Sequence, residues 1–389
     1  MKLFPFTRPR TGLYFSTDTL CVGHLRHGLG GPTLGSYREQ SLPTGSIRLS
    51  PIEQNVACSE HLLSALHSTF PPTRHPHSVA VCLPDSCART AVFEFASLPK
   101  NKQDQKALVE WRLQKELNLL PKPRRVSYQR FGTMPSRFSL TRSPSTPIRF
   151  LVVAFQNDIV EQYETLCVES GVIPVSINVA GLAVFNLCRP VIESTLQQHP
   201  RDVSFVPDTV IFLYVGDWGF SLIVWNEGQP CFVRVKPLKR LSTVMVLPSQ
   251  ALIKETPASP SSQAGSSEQT TSREPDDFDS PRDREPTSLL AEELLGSLQF
   301  FFETAAPPEH RAPVYPLFLV GGPQPEIMLP RIAETIERAF PLNKETDVPQ
   351  IKAFPMFPQN PAVQAKTLSA LPQWTGTTLA TIAAGYLPS

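Results

Sequence analysis

The sequence has no surplus of either charge: 36 Lys and Arg stand against 35 Asp and Glu in 389 residues, a formal net charge of +1. That balance argues against a nucleic-acid binder, and an apolar content of 41% argues against a chain too polar to bury a core. Long unbroken apolar runs are also missing. The most apolar segment, TVIFLYVGDWGFSLIVW, carries Asp217 and two glycines near its middle, which a lipid-facing helix would avoid. The opening MKLFPFTRPR has basic residues but no apolar stretch before Gly12, so neither a signal peptide nor a span is expected there. These absences lead to the expectation of a cytoplasmic protein. No G-x-x-x-x-G-K-[ST], G-x-S-x-G or H-E-x-x-H occurs, which removes the P-loop, the hydrolase nucleophile elbow and the zincin helix. The seven cysteines include no C-x-x-C pair and read as reduced, mostly buried thiols. His24/His27 and His75/His77 have metal-like spacing but no matching second pair, so no metal site is expected.

Proline is abundant instead. Forty-one prolines are about twice the usual share, so the elements should be short. Segments that read as strands and helices alternate, which gives an α/β class, and the length allows two domains. GLYFSTDTLCVGHL reads as strand, tight polar hairpin, strand, followed by a helix near 59–68 and the apolar strand SVAVCLP. A helix over 103–120 carries Val109, Leu113, Leu117 and Leu120 as an apolar stripe, with Leu108 and Trp111 pointing elsewhere. RFLVVAF reads as a strand inside a sheet covered on both faces. In the helix after it, Asn157 or Asp158 is the candidate cap, Ile159, Val160, Tyr163, Leu166 and Cys167 form the inner face, and Gly171 ends it. TVIFLYVG, the turn at Asp217 to Gly219, and FSLIVW then repeat the opening strand, turn, strand plan about 200 residues later, which suggests a duplicated fold. Residues 248–288 are rich in Ser, Pro, Thr, Gln and acidic residues and read as a disordered loop. Beyond it, Leu290, Leu294, Leu298 and Phe301 share one helix face, FLVGG reads as a strand with a Gly-Gly turn, and TLATIAAGYL reads as a closing small-residue helix.

This order of segments resembles the actin-like ATPase superfold, and within it the type IV pilus assembly protein PilM family, relatives of FtsA. The first phosphate hairpin of that family is matched in place by GLYFSTDTLC, the strand and helix after it by VVAFQNDIVEQYETLCVESGVIP, and the second hairpin by YVGDWGFSL. The later motifs are similar to AEELLGSLQFF, FLVGG and TIAAGYL. The resemblance implies a duplicated, ribonuclease-H-like α/β fold with two domains flanking a cleft. The first domain would span 1–190, with a small inserted subdomain over about 78–132, and the second 191–389.

It also implies a nucleotide site at the two hairpins and the Gly-Gly turn, with Ser16, Thr17, Asp18, Thr19, Gly216, Asp217, Gly321 and Gly322 at the matching positions. Backbone N–H groups and small hydroxyls would surround the phosphates, and acidic residues would orient Mg²⁺. Here the sequence departs from the pattern. Tyr14 and Tyr214 stand where the family has its two aspartates, Asp18 puts a carboxylate at the first tip, and Trp218 and Phe220 are large where phosphates need room. No cofactor and no ATP hydrolysis are therefore expected. The implied role is a scaffold of the pilus platform that holds the cytoplasmic N-terminal tail of a PilN-like membrane protein in a groove between the first sheet and the inserted subdomain. Leu108 and Trp111 are the candidate partner residues. Other platform and motor proteins would be further partners, nucleic acid would not, and the membrane would be reached only through partners, at the inner membrane. Two other readings stay open: a nucleotide-switched actin-like ATPase using Asp18 and Asp217, and an actin-like component of a type II secretion platform.

Overall fold

The computed structural model describes residues 9–28, 31–71, 73, 76–116, 123–131, 148–198, 209–238, 286–305, 314–342, 349–356 and 375–385. Three antiparallel strands open the chain: β1 (Thr11–Phe15), β2 (Thr19–Gly28) and β3 (Gly31–Ser41). Helix α1 (Ser59–Thr69) then returns the chain so that β4 (His77–Leu83) can lie parallel to β1, a pairing that a tight turn cannot make. A separate unit follows: β5 (Arg89–Phe95), α2 (Lys102–Glu116), β6 (Arg124–Phe131) and β7 (Ile148–Gln156). Helix α3 (Asn157–Glu169) leads back to β8 (Val172–Val179), which pairs parallel with β4, and α4 (Ala180–Gln198) leaves the first sheet.

The plan then repeats. β9 (Thr209–Val215), β10 (Gly219–Asn226) and β11 (Gln229–Pro237) are antiparallel, and α5 (Pro286–Thr304) crosses over to β12 (Val314–Gly321). Helix α6 (Pro325–Ala339) crosses to β13 (Gln350–Met356), and α7 (Gly376–Gly385) follows. The sheet orders are β3-β2-β1-β4-β8 and β11-β10-β9-β12-β13, so each sheet has three antiparallel and two parallel strands in the same arrangement. The expected α/β class and internal duplication are both present.

Burial follows the apolar stripes. On α5, Leu290, Leu294, Leu298 and Phe301 are all fully buried against the second sheet with α6, and on α3 the five expected residues face the first sheet with α1. Each such Leu or Ile contributes about 1.5–3 kcal/mol by leaving water. A third core lies between the sheets, where α4 and α7 meet. Helix α7 follows the second copy in sequence, yet it packs on β1, β2 and β4 of the first sheet, while α4 reaches β9 and β10 of the second. The close approach depends on small groups: a methyl added at Gly23 of β2 would sit 3.2 Å from the Thr381 side chain of α7.

Several boundaries differ from the sequence reading. The segment at 78–84 is β4, a central strand of the first sheet, and RFLVVAF is β7, the middle of a separate three-stranded antiparallel sheet ordered β5-β7-β6. The inserted subdomain therefore runs over about 89–156 rather than 78–132. The apolar run of β7 misleads because both its faces are used: Phe150, Val152 and Ala154 pack with Val109 and Leu113 of α2, while Leu151, Val153 and Phe155 line a groove on the other side. The cap of α3 is Gln156, without a side-chain cap bond, because β7 runs directly into the helix; Asn157 instead accepts from Arg125. Gly171 does end α3, with φ +76°. The described part of α2 stops at Glu116, and Leu117 and Leu120 lie outside the described residues. So does the 248–288 segment up to residue 285, while its last three residues form the first turn of α5.

Candidate functional site

The two hairpins are built alike, 200 positions apart. The amide of Ser16 donates to the Thr19 carbonyl at 2.9 Å, and that of Gly216 to the Gly219 carbonyl at 2.9 Å. Each tip is then fastened by the next strand, Leu42 N–H donating to the Asp18 carbonyl and Leu238 N–H to the Trp218 carbonyl. The first hairpin offers donors at its mouth, as an anion-binding nest does. Those donors are used by the other half of the molecule. The Asp217 carboxylate accepts from Tyr14 Oη at 3.2 Å, from the Thr17 amide at 3.2 Å, from Thr17 Oγ1 at 3.0 Å and from Ser16 Oγ. Ser16 Oγ also lies 3.2 Å from Asp18 Oδ1, and the Asp18 carboxyl is raised above its ordinary range by burial first and by the Asp217 charge second.

The second hairpin is filled rather than bridged. Trp218 is buried with its indole over Gly216, where an added methyl would meet Nε1 at 2.5 Å. On the other side stands the N-terminus of α7, with a methyl at Gly376 reaching the Val215 carbonyl at 2.5 Å and the Gly216 Cα at 3.1 Å. Tyr214 Oη donates to the Gly376 carbonyl at 2.9 Å and ties this helix down. Burial drives the hydroxyls of Tyr14 and Tyr214 well above their ordinary pKa, so both stay protonated donors.

The Gly-Gly turn closes the same corner. Gly321 and Gly322 both have φ +87°, a conformation that favours glycine. A methyl at Gly321 would meet the Val215 carbonyl at 2.4 Å, and one at Gly322 the Met328 side chain, so the turn is packed against protein. Thr19 lies apart from the carboxylates, its hydroxyl 3.7 Å from Cys21 Sγ. The residues present do not fit a nucleotide with its metal. Tyrosines stand at the metal-orienting positions, a carboxylate fills the first nest and an indole the second.

The sequence reading did not find Asp85. It sits in the turn after β4, 2% exposed, with Oδ2 accepting the Gly181 amide at 2.7 Å at the start of α4. Burial pushes its pKa up to about 6 against the opposing effects of that amide and of Ser221 on β10. A methyl at Gly181 would meet Ser221 at 2.7 Å and Asp85 at 2.8 Å, so the first sheet, α4 and the second sheet converge here.

Chains of known structure share this architecture. A chain of a PilM-PilN type IV pilus biogenesis complex matches 99% of this chain and 100% of its own length, at 15% identity and a TM-score of 0.60. With the duplicated sheets and the inserted subdomain, that decides the fold. This is the actin-like fold. Weaker matches are a Bacteroides thetaiotaomicron protein of actin-like ATPase fold and unknown function (9% identity, TM-score 0.39, 95% of this chain and 98% of that one) and the cytoplasmic domain of EpsL, an inner-membrane component of the Vibrio cholerae type II secretion system (10%, 0.34, 61% and 74%). No family model and no curated protein matches the sequence.

The inserted subdomain of this actin-like chain forms a second feature. A cavity of about 680 Å³ separates it from the first sheet. One wall is the face of β6 and β7 turned away from α2, and the other is β8 from Pro174 to Val179 with α3 and α4 behind it. β8 is the edge of its sheet, so among the described residues one side of its backbone has no strand partner. Trp225 of the second sheet closes one end, its ring edge-on to Phe131 at 5.4 Å. The lining is mixed, apolar side chains alternating with Gln129, Asn178 and Asn186 and with the charged Arg125, Glu164 and Arg189, and Ser176 Oγ is buried without a hydrogen-bond partner among the described residues. Leu108 and Trp111 do not line this groove. Leu108 packs partly buried in the subdomain core, and Trp111 is 56% exposed on α2 with Lys115 over its ring. No described helix is long and apolar enough to cross a membrane.

Proposed function

We propose that this chain is a PilM-like scaffold of a type IV pilus assembly platform, cytoplasmic and peripheral at the inner membrane. It holds the cytoplasmic tail of a PilN-like membrane protein as an extended strand along β8 and does not hydrolyse ATP. One observation carries the reading: a groove of mixed apolar and polar lining opens along a sheet edge that is unpaired among the described residues, which supplies backbone partners for an added strand and pockets for its alternate side chains. The shared fold with a chain of a PilM-PilN complex supports the choice of partner. Asp217 in the first nest and Trp218 over the second support the absence of nucleotide turnover.

A synthetic peptide of the PilN-like N-terminal tail should bind the purified chain by calorimetry. Val175, 51% exposed at the groove, is the residue to change. Val175→Arg should weaken the peptide by at least about tenfold while the fold is kept, and Trp111→Ala should leave it unchanged. A peptide that binds Val175→Arg as tightly as the wild type would remove the groove from the reading. Mg-ATP at millimolar concentration should give no heat.

A further inference from the structure

The nest of the first hairpin and its occupant come from opposite halves of one chain. Four donors of Tyr14, Ser16 and Thr17 converge on the single carboxylate of Asp217. A carboxylate on such a nest satisfies the same backbone and hydroxyl donors as a phosphate oxygen pair, with the same sign of charge. Asp217 has no ion pair among the described residues, and the Asp18 carboxylate repels it. Its place is therefore held by the hydrogen bonds and by the rigid turn beneath it. Gly219 has φ +147°, and a methyl there would fall 2.1 Å from the Lys236 carbonyl, so the backbone of β11 packs directly on the turn that carries Asp217.

We propose that Asp217 is a built-in anionic latch: it serves as the anion of the first hairpin and keeps the two halves closed with no ligand bound. The contact joins the halves at the mouth of the first hairpin. Two consequences follow from the chemistry. The closed state does not depend on nucleotide. Removing the carboxylate exposes a vacant nest, which then takes an external anion of the phosphate class. The proposal is independent of what occupies the groove, so a failure of the tail peptide to bind would leave the following readouts unmoved.

The test compares the full chain with Asp217→Ser and the isosteric, neutral Asp217→Asn. Thermal unfolding and amide hydrogen exchange over 14–19 are read in sodium chloride, inorganic phosphate and pyrophosphate at matched ionic strength. The wild type should show no response to either phosphate beyond that to chloride. Asp217→Ser should melt at least about 3 °C lower and exchange at least about tenfold faster in the hairpin, with phosphate or pyrophosphate restoring both. Asp217→Asn should fall between. Where Asp217→Ser does not fold, Thr17→Val removes one of the four contacts, the Oγ1 donor, while keeping the amide and the side-chain shape, and is read at the same amides. Wild-type exchange in Asp217→Ser would overturn the latch, as would a loss of protection that neither anion recovers, or wild-type protein that binds phosphate at the hairpin as well as the variant does.

Discussion

The two hairpins of this chain share a backbone and differ in what fills them. At the first, small hydroxyl residues leave an open mouth that receives a side chain from 200 positions away. At the second, an indole and the end of a helix occupy the mouth directly. The comparison teaches that a duplicated hairpin can have its mouth closed in two physically different ways: by a charged side chain from the other half of the chain, or by bulk from its own turn and a helix end. Burial alone would have left the donors of the first hairpin unpaired, at a cost of about 1–3 kcal/mol each.

The comparison can be strained first at the turn glycine. Gly219→Ala should cost about 3 kcal/mol or more in denaturant unfolding, because its Cβ overlaps the Lys236 carbonyl, while Thr19→Ala at the equivalent position should cost under about 1 kcal/mol. Equal costs would mean that the second hairpin is not the rigid partner. Asp85 comes next. Its folded pKa of about 6 lies above the ordinary carboxylate value, so the folded state binds the proton more tightly, and stability should fall as pH rises from about 4 through 6. The loss is on the order of 3 kcal/mol, and Asp85→Asn should abolish that slope and exceed the wild type in stability at pH 8. A slope unchanged in the variant would place the titration elsewhere. The smallest effect separates the two tyrosines. Tyr214→Phe removes the hydrogen bond that ties the first turn of α7 to β9 and should cost about 1–2 kcal/mol, whereas Tyr14→Phe removes one of several donors to a carboxylate that keeps the rest and should cost about half as much.

Much of the fold was legible because burial on a helix or strand leaves a local period. The stripe Leu290, Leu294, Leu298 and Phe301, the inner face of α3 and the repeated strand-turn-strand plan all needed only neighbours in sequence to be read. What the period does not encode is which strand lies alongside. β7 has the composition of a doubly covered strand, but only one face is covered, by α2, the other lines the groove, and its partners are β5 and β6. In the candidate site, the missing aspartates and the bulk of Trp218 were visible as substitutions. The meeting of Asp217 with Ser16 and Thr17 was not, since no local pattern links residues 200 positions apart. Asp85 gave no signal either: a Pro-Asp after a strand reads as an ordinary turn, and only the folded chain brings Gly181 onto its carboxylate.

The placement of α7 on β1, β2 and β4 bears on how the molecule is made. One apolar face of the first sheet is covered only in part by α4 until residues 376–385 are available, some 360 positions after β1. Contacts of such separation are slow to form, because the intervening chain must be gathered before they reward it. As the chain emerges from its N-terminus, the first half therefore has to wait, with Tyr14, Leu25 and Cys82 of its inner face still wet, and that interval is where a chaperone would find its substrate.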